Sequence, residues 1–151
     1  MNIHHVEPLS KRRLKMWLRL LNVNRAAESH MREFLRIKHD TTLPRFDVLA
    51  ALHRSGKAIT MSDLSRMLLV SNGNATAVVD RLERDGLVKR TVSDTDRRTV
   101  FATLTAAGVR QFEVLAVGNE KEVNTLFDTL SEPELETLTT LLKRIGKGEK
   151  R

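Results

Sequence analysis

Residues 58–88 read AITMSDLSRMLLVSNGNATAVVDRLERDGLV, and the reading of this stretch decides the fold. It holds two short helical patterns, each opening on a side-chain oxygen that can accept from a free backbone N–H. Thr60 or Ser62 opens the first, which reaches Leu69. Ser71 or Asn72 opens the second, which reaches Asp85, and Gly86 supplies the left-handed residue that ends it. Within the second, Ala75, Val78, Val79 and Leu82 recur at i, i+3, i+4 and i+7, so they share one buried face. Asn72, Asn74, Thr76, Ala77 and Arg81 are left on or near the outward side. The stretch is a helix, a turn and a helix.

On its C-terminal side, residues 87–92 (LVKRTV) and 99–104 (TVFATL) are rich in β-branched and apolar residues, with the polar connector SDTDRR between them. They predict a β-hairpin with a charged tip. A helical pattern then starts at Thr105, a suitable N-cap, and runs through Val109, Phe112, Leu115 and Val123 toward Leu130, with Gly118 as its weak point. Ser131-Glu-Pro-Glu134 fits a capping box for a last helix lined by Leu135, Leu138, Leu141, Leu142 and Ile145 and closed by Gly146. On the N-terminal side, a helix with Pro44 in its first turn carries Phe46, Val48, Leu49 and Leu52 and ends at Ser55-Gly56. Before it, Leu14, Trp17, Leu18, Leu21, Phe34, Leu35 and Ile37 recur at helical steps from Ser10 to Lys38, with no internal Pro or Gly. The fold class is mainly α with a small β-hairpin wing.

Composition narrows the function. The 151 residues, 40% hydrophobic and 30% charged, suit one soluble domain, or one domain with appended helices, and exclude disorder along the whole chain. With no cysteine, a disulfide framework, a thiolate metal site, a nucleophilic thiol and a thiol redox sensor are all excluded. His4, His5, His30, His39 and His53 lack metal-ligand spacing, so no metal is expected. No G-x-S-x-G element, P-loop or glycine-rich phosphate loop occurs, so neither an enzyme nor a bound cofactor is expected. The net charge of +7 favours a polyanionic partner, and its excess is N-terminal, with nine basic and three acidic side chains in residues 1–38. The N-terminus lacks a continuous apolar segment and no run approaches the roughly 20 residues that span a bilayer, which gives no membrane association and the cytoplasm as the expected compartment.

Each part of a helix-turn-helix with a wing has a use on double-stranded DNA. A helix with short polar side chains in its first turn can enter the major groove, where Asn reads adenine bidentately, and Asn72, Asn74 and Thr76 fit that role. Ser71 and Asn72 can equally serve only as caps. At the hairpin tip, Arg97 and Arg98 can reach a narrow minor groove while Asp94 and Asp96 brace them or shape the turn.

Residues 43–108, from LPRFDVLAALHRSGK to TVFATLTAAG, resemble the MarR family of bacterial transcription regulators throughout. The resemblance rests on a helix like TAVVDRLERDGLVKR, a wing like SDTDRR and an LTAAG opening the next helix, and it extends over roughly residues 10–145. It implies a homodimer whose first and last helices intertwine, presenting two winged helices to adjacent half-sites of a pseudopalindromic operator. On that basis residues 1–43 are the N-terminal helix of the dimerisation region, residues 44–104 the DNA-binding domain and residues 105–151 the C-terminal dimerisation helices. The chain supports a dimer independently: Leu9, Leu14, Leu18 and Leu21, with Leu126, Leu130 and the stripe from Leu135 to Ile145, offer more apolar surface than one small core covers.

The resemblance maps the family's wing-tip arginine onto Arg98 and its supporting aspartate onto Asp96. The expected DNA-binding set is Ser71, Asn72, Asn74, Thr76, Arg81, Lys89, Arg90, Asp96, Arg97 and Arg98, with Lys89, Arg90 and Arg97 on phosphates. The family's ligands lodge between the winged helix and the dimerisation helices, a gap this chain would line with Trp17, Arg25, His30, Phe34, Arg45 and Phe46. An apolar cleft with cationic groups suits an aromatic carboxylate, and the basic run Lys11, Arg12, Arg13, Lys15 and Arg19 would also suit its CoA thioester. The expected function is a sequence-specific repressor released by such an anion. The alternatives are a DNA-binding protein without an effector and a winged helix used as a protein-interaction module.

Overall fold

The structure is a computed structural model and describes residues 6–68 and 75–146. Its elements run α1 (Leu9–His39), α2 (Leu43–Ser55), β1 (Ile59–Thr60), α3 (Met61–Met67), α4 (Ala75–Arg84), β2 (Val88–Val92), β3 (Val100–Leu104), α5 (Ala106–Leu126) and α6 (Glu132–Gly146). This is the mainly helical winged architecture that the hydrophobic patterning predicts. The end of the first short helix at Leu69 and the residues Ser71, Asn72 and Asn74 lie outside the described residues.

The core sits in the winged part. Leu35 of α1, Val48 and Leu49 of α2, Leu64 of α3, Val79 and Leu82 of α4, Ala102 of β3 and Leu115 of α5 form one buried cluster. The stripe expected on α4 is buried at Ala75, Val79 and Leu82 and half-buried at Val78, leaving Thr76, Ala77 and Arg81 exposed. The N-terminal half of α1 and all of α6 stand outside this core; α6 buries none of its residues.

Three threonines start three helices. Thr42 accepts from the Arg45 N–H, Thr60 from the Asp63 N–H and Thr105 from the Gly108 N–H, each satisfying a donor that the first helical turn leaves free. Ser131 does the same for α6, accepting from the Glu134 N–H while its hydroxyl donates to the Glu134 carboxylate. At the other end of α1, Asp40 takes φ 49°, and the Thr41 N–H closes back on the Leu35 carbonyl. Gly86, at φ 76°, turns the chain from α4 into β2.

The structure departs from the sequence reading in three places. The wing is not a free hairpin: β1 adds a third antiparallel strand, in the order β1-β3-β2, with Ile59 opposite Ala102 and Thr60 opposite Phe101. Next, α5 ends at Leu126, capped by the Phe127 N–H on the Val123 carbonyl, and a separate turn at Leu130 precedes α6. Finally, Gly118 is a point of close approach and not a weak point, since a Cβ there would lie 3.0 Å from both His39 Nε2 and Phe34 Cζ. Its missing side chain lets α1 lie close against α5.

A joint behind the wing fixes the direction of the strands. The Thr105 N–H donates to the Leu87 carbonyl at 3.0 Å and its hydroxyl to the Gly86 carbonyl at 2.6 Å, tying the start of β2 to the start of α5. Gly108 is buried directly over that joint.

Candidate nucleic-acid interface

The described residues of the interface come from α4, the wing and the start of α3. The exposed Thr76 of α4, Thr60 and Ser62 at the start of α3, and Arg98 and Thr99 of the wing line one cleft of about 380 Å³, which Arg90 closes from β2. Arg81 stands exposed on α4, and Lys89 and Arg97 stand exposed on the strand and the tip.

The tip is built around Asp96. Its carboxylate accepts from the Arg98 backbone N–H at 3.0 Å and the Arg98 Nε at 3.4 Å, and its carbonyl accepts from the Thr99 N–H at 2.9 Å. Ser93 accepts from the Thr95 and Asp96 N–H groups, and its own N–H donates to the Thr99 carbonyl. Local bonds of this kind let a polar tip hold one shape without a core. The Arg98 side chain is nevertheless 93% exposed, so Asp96 aims the guanidinium without sequestering it.

Arg90 is arranged differently from its neighbour Lys89. Side chains alternate along a strand, so Arg90 shares the face of the buried Val88 and points at α4, while Lys89 faces solvent. The Arg90 backbone N–H donates to Glu83 at 2.8 Å, its guanidinium donates to the same carboxylate at 3.0 Å, and it pairs as well with Asp80. The Arg90 backbone N–H and guanidinium hold the Glu83 carboxyl below the usual carboxylate range, and Glu83 in turn raises the Arg90 guanidinium. Arg45, at the start of α2, forms a second tie to this region through Asp85 at 2.7 Å.

The six residues expected around an effector are dispersed. Trp17 is half-exposed in a cleft of about 360 Å³ between α1 and α6, with Leu21, Phe127, Leu138 and Leu142. Arg45 lines another of about 390 Å³ with Arg32, Arg36 and Arg81, between the end of α1, the start of α2 and α4. Phe46 stacks on Phe112 of α5 with ring centroids 5.9 Å apart, Phe34 lies edge-on to His39, and His30 bonds Glu122 at 2.8 Å across α1 and α5. Arg25 is exposed on α1. Sequence reasoning missed the partners of Arg45 and Arg90; for Arg90 the two-residue period from Val88 was an available signal.

Among the described residues, no group of three or more His, Asp or Glu side chains could hold a metal, and no helix is long and apolar enough to cross a membrane.

The MarR family's sequence profile matches residues 39–99. The chain is 31% identical over 142 residues to the HTH-type transcriptional regulator MhqR of Bacillus subtilis strain 168, covering 94% of this chain and 97% of that one. The chain belongs to the MarR family. It is therefore a winged helix-turn-helix transcriptional regulator of a DNA-binding, non-enzymatic family. Among solved MarR structures, AbsC from Streptomyces coelicolor is similar with a TM-score of 0.79 at 26% identity, over 96% of this chain and 99% of that one. A mutant of Escherichia coli MarR, solved in complex with operator DNA, is similar with a TM-score of 0.75 at 28% identity, over 92% of this chain and 99% of that one.

Proposed function

We propose that this MarR-family regulator is a cytoplasmic, homodimeric repressor that binds a pseudopalindromic operator and leaves it when a small organic anion binds. The observation that carries the DNA reading is the wing tip, where a 93% exposed Arg98 is aimed by Asp96 beside the cleft that Thr76 lines. Thr76, together with Ser71, Asn72 and Asn74, reads base edges; Arg98 reads groove shape; Arg81, Lys89 and Arg97 meet phosphates. Residues 44–104 are the DNA-binding unit, and residues 1–43 and 105–151 form the dimerisation region. The operator complex of the similar Escherichia coli protein supports this reading.

The dimer is supported by apolar side chains that the described residues of their own chain leave partly uncovered. Leu9, Leu14, Trp17 and Leu18 of α1 and Leu135, Leu141, Leu142 and Ile145 of α6 are each at least 40% exposed. A second copy that buries both faces at once satisfies the isologous rule for a twofold dimer. The anionic effector is supported by a cleft of about 440 Å³ beside the same helices, where Arg12, Lys15 and Arg19 rim the apolar Met16, Leu20, Val23 and Leu138.

Fluorescence anisotropy of the purified protein on duplexes tiling the DNA beside its own gene, against scrambled duplexes at two salt concentrations, tests the DNA reading. A preference that survives the higher salt is expected; equal binding that collapses with salt refutes sequence-specific recognition. Aromatic acids and their CoA thioesters, added to the operator complex, are expected to release it and to raise the melting temperature of the free protein.

A further inference from the structure

Three carboxylates lie on or directly after the helix that approaches the polyanion: Asp80 and Glu83 on α4, and Asp85 following it. Left bare, each would oppose DNA binding. Each is met by an arginine from another element, Asp80 and Glu83 by Arg90 of β2 and Asp85 by Arg45 of α2. Arg90 directs its donors at α4: its backbone N–H, Nε and Nη2 reach Glu83, and the same Nη2 also reaches Asp80. Only 25% of its side chain is exposed, against 93% for Arg98. A guanidinium engaged by two carboxylates is a poor phosphate ligand and a strong strut, because its planar fork fixes the relative orientation of the groups it joins.

We propose that Arg90 serves operator recognition as a positioning residue, locking α4 to β2 through Glu83 and Asp80 so that helix and wing meet DNA as one body, and does not itself contact phosphate. The proposal rests on the DNA-binding reading above. It makes a prediction opposite in sign to simple electrostatics. Removing an acidic group near a polyanion should strengthen DNA binding, whereas removing Glu83 here frees the strut and weakens specific binding.

The test uses the full-length protein and the duplex that the wild type prefers among those tiling the DNA beside its own gene. Anisotropy titrations over a salt series compare wild type, Glu83→Gln, Arg90→Ala, Arg90→Lys, the double variant and Lys89→Ala. Glu83→Gln and Arg90→Ala are each expected to weaken operator binding about tenfold, with the double variant no weaker than the worse single, as for two ends of one interaction. The salt slope stays that of the wild type in all of these, while Lys89→Ala lowers it by about 0.9, the loss of one phosphate contact. Arg90→Lys restores part of the binding by keeping the charge and some hydrogen bonding. Glu83→Gln alters a partly exposed side chain at constant size, so it carries the test even if Arg90→Ala fails to fold by circular dichroism. The proposal is overturned if Glu83→Gln binds the operator as well as or better than wild type, or if Arg90→Ala lowers the slope as expected for the loss of a phosphate contact. A wild type with no preferred duplex instead overturns the DNA-binding reading itself, and the proposal with it.

Discussion

Replacing Gly108 by alanine perturbs the joint behind the wing with almost no change in composition. A Cβ at this position falls far inside van der Waals contact of the Leu87 carbonyl oxygen, and it lies 3.0 Å from the Leu87 carbonyl carbon and 3.2 Å from Leu104 Cδ2. The obstacle is backbone, and that backbone is pinned: the Leu87 carbonyl accepts from the Thr105 N–H, and the adjacent Gly86 carbonyl accepts from the Thr105 hydroxyl. Relief therefore requires α5 and the start of β2 to separate. Overpacking against a fixed neighbour costs about 1–3 kcal/mol. Loss of the Thr105 to Leu87 hydrogen bond adds about 1 kcal/mol. The sum, about 2–4 kcal/mol, corresponds to a fall in melting temperature of roughly 4–16 °C for a chain of this size. Urea unfolding followed by circular dichroism at fixed protein concentration measures it, with a lower midpoint and an unchanged slope expected. Gly146→Ala is the control, because nothing described lies within 4 Å of a Cβ there. A Gly108→Ala midpoint equal to that of the wild type would refute the claim that the backbone at this joint cannot yield to a methyl group.

The other predictions concern the wing, the proposed dimer and the carboxylates. Arg98→Ala is expected to cost roughly 1–3 kcal/mol of operator affinity in anisotropy titrations and far less on a scrambled duplex; an equal loss on both would make Arg98 a phosphate contact only. Leu138→Glu with Leu142→Glu, two side chains 38% and 43% exposed on α6, should reduce the mass in light scattering from twice the 17.2 kDa chain mass to that of one chain. A dimer that persists would locate the interface elsewhere. Because Arg90 depresses the Glu83 carboxyl in the folded chain, the stability it contributes is complete above the ordinary glutamate value of 4.5 and is lost as pH falls through the lower folded value. The melting temperature of wild type should thus exceed that of Glu83→Gln at neutral pH, and the gap should close below pH 4.5; a gap independent of pH would contradict the pairing.

What could be read along the chain was whatever leaves a local mark. Thr105, Ser131-Glu-Pro-Glu134 and Gly86 announce helix ends because caps and left-handed turns constrain a few adjacent residues, and all of them act as ends in the structure. The apolar stripe of α4 and the strands of the wing follow from periodicity. By contrast, β1 has two residues, too few for any period, and exists because Ile59 and Thr60 find Ala102 and Phe101 some forty residues later. Gly118 looks like a defect in a helix until Phe34 and His39 are seen against it. Arg45 and Arg90 read as free cations suited to anions, and their carboxylate partners appear only when α2, α4 and β2 come together. For the interface, the wing tip was legible because its bonds are local, and the strut behind it was not.

Thr60 is both the last residue of β1 and the cap of α3, and Thr105 stands as a single residue between β3 and α5. Sheet and helices are thus spliced end to end with no slack between them. A chain joined in this way has few internal degrees of freedom through which its wing can be re-aimed alone. Turning the wing would carry α3 and α5 with it, and a displacement of α5 would reach the tip as rotation of the joined elements. On the proposed reading, an effector that weakens operator binding need not deform the parts that touch DNA; it has only to tilt the axle on which they are mounted.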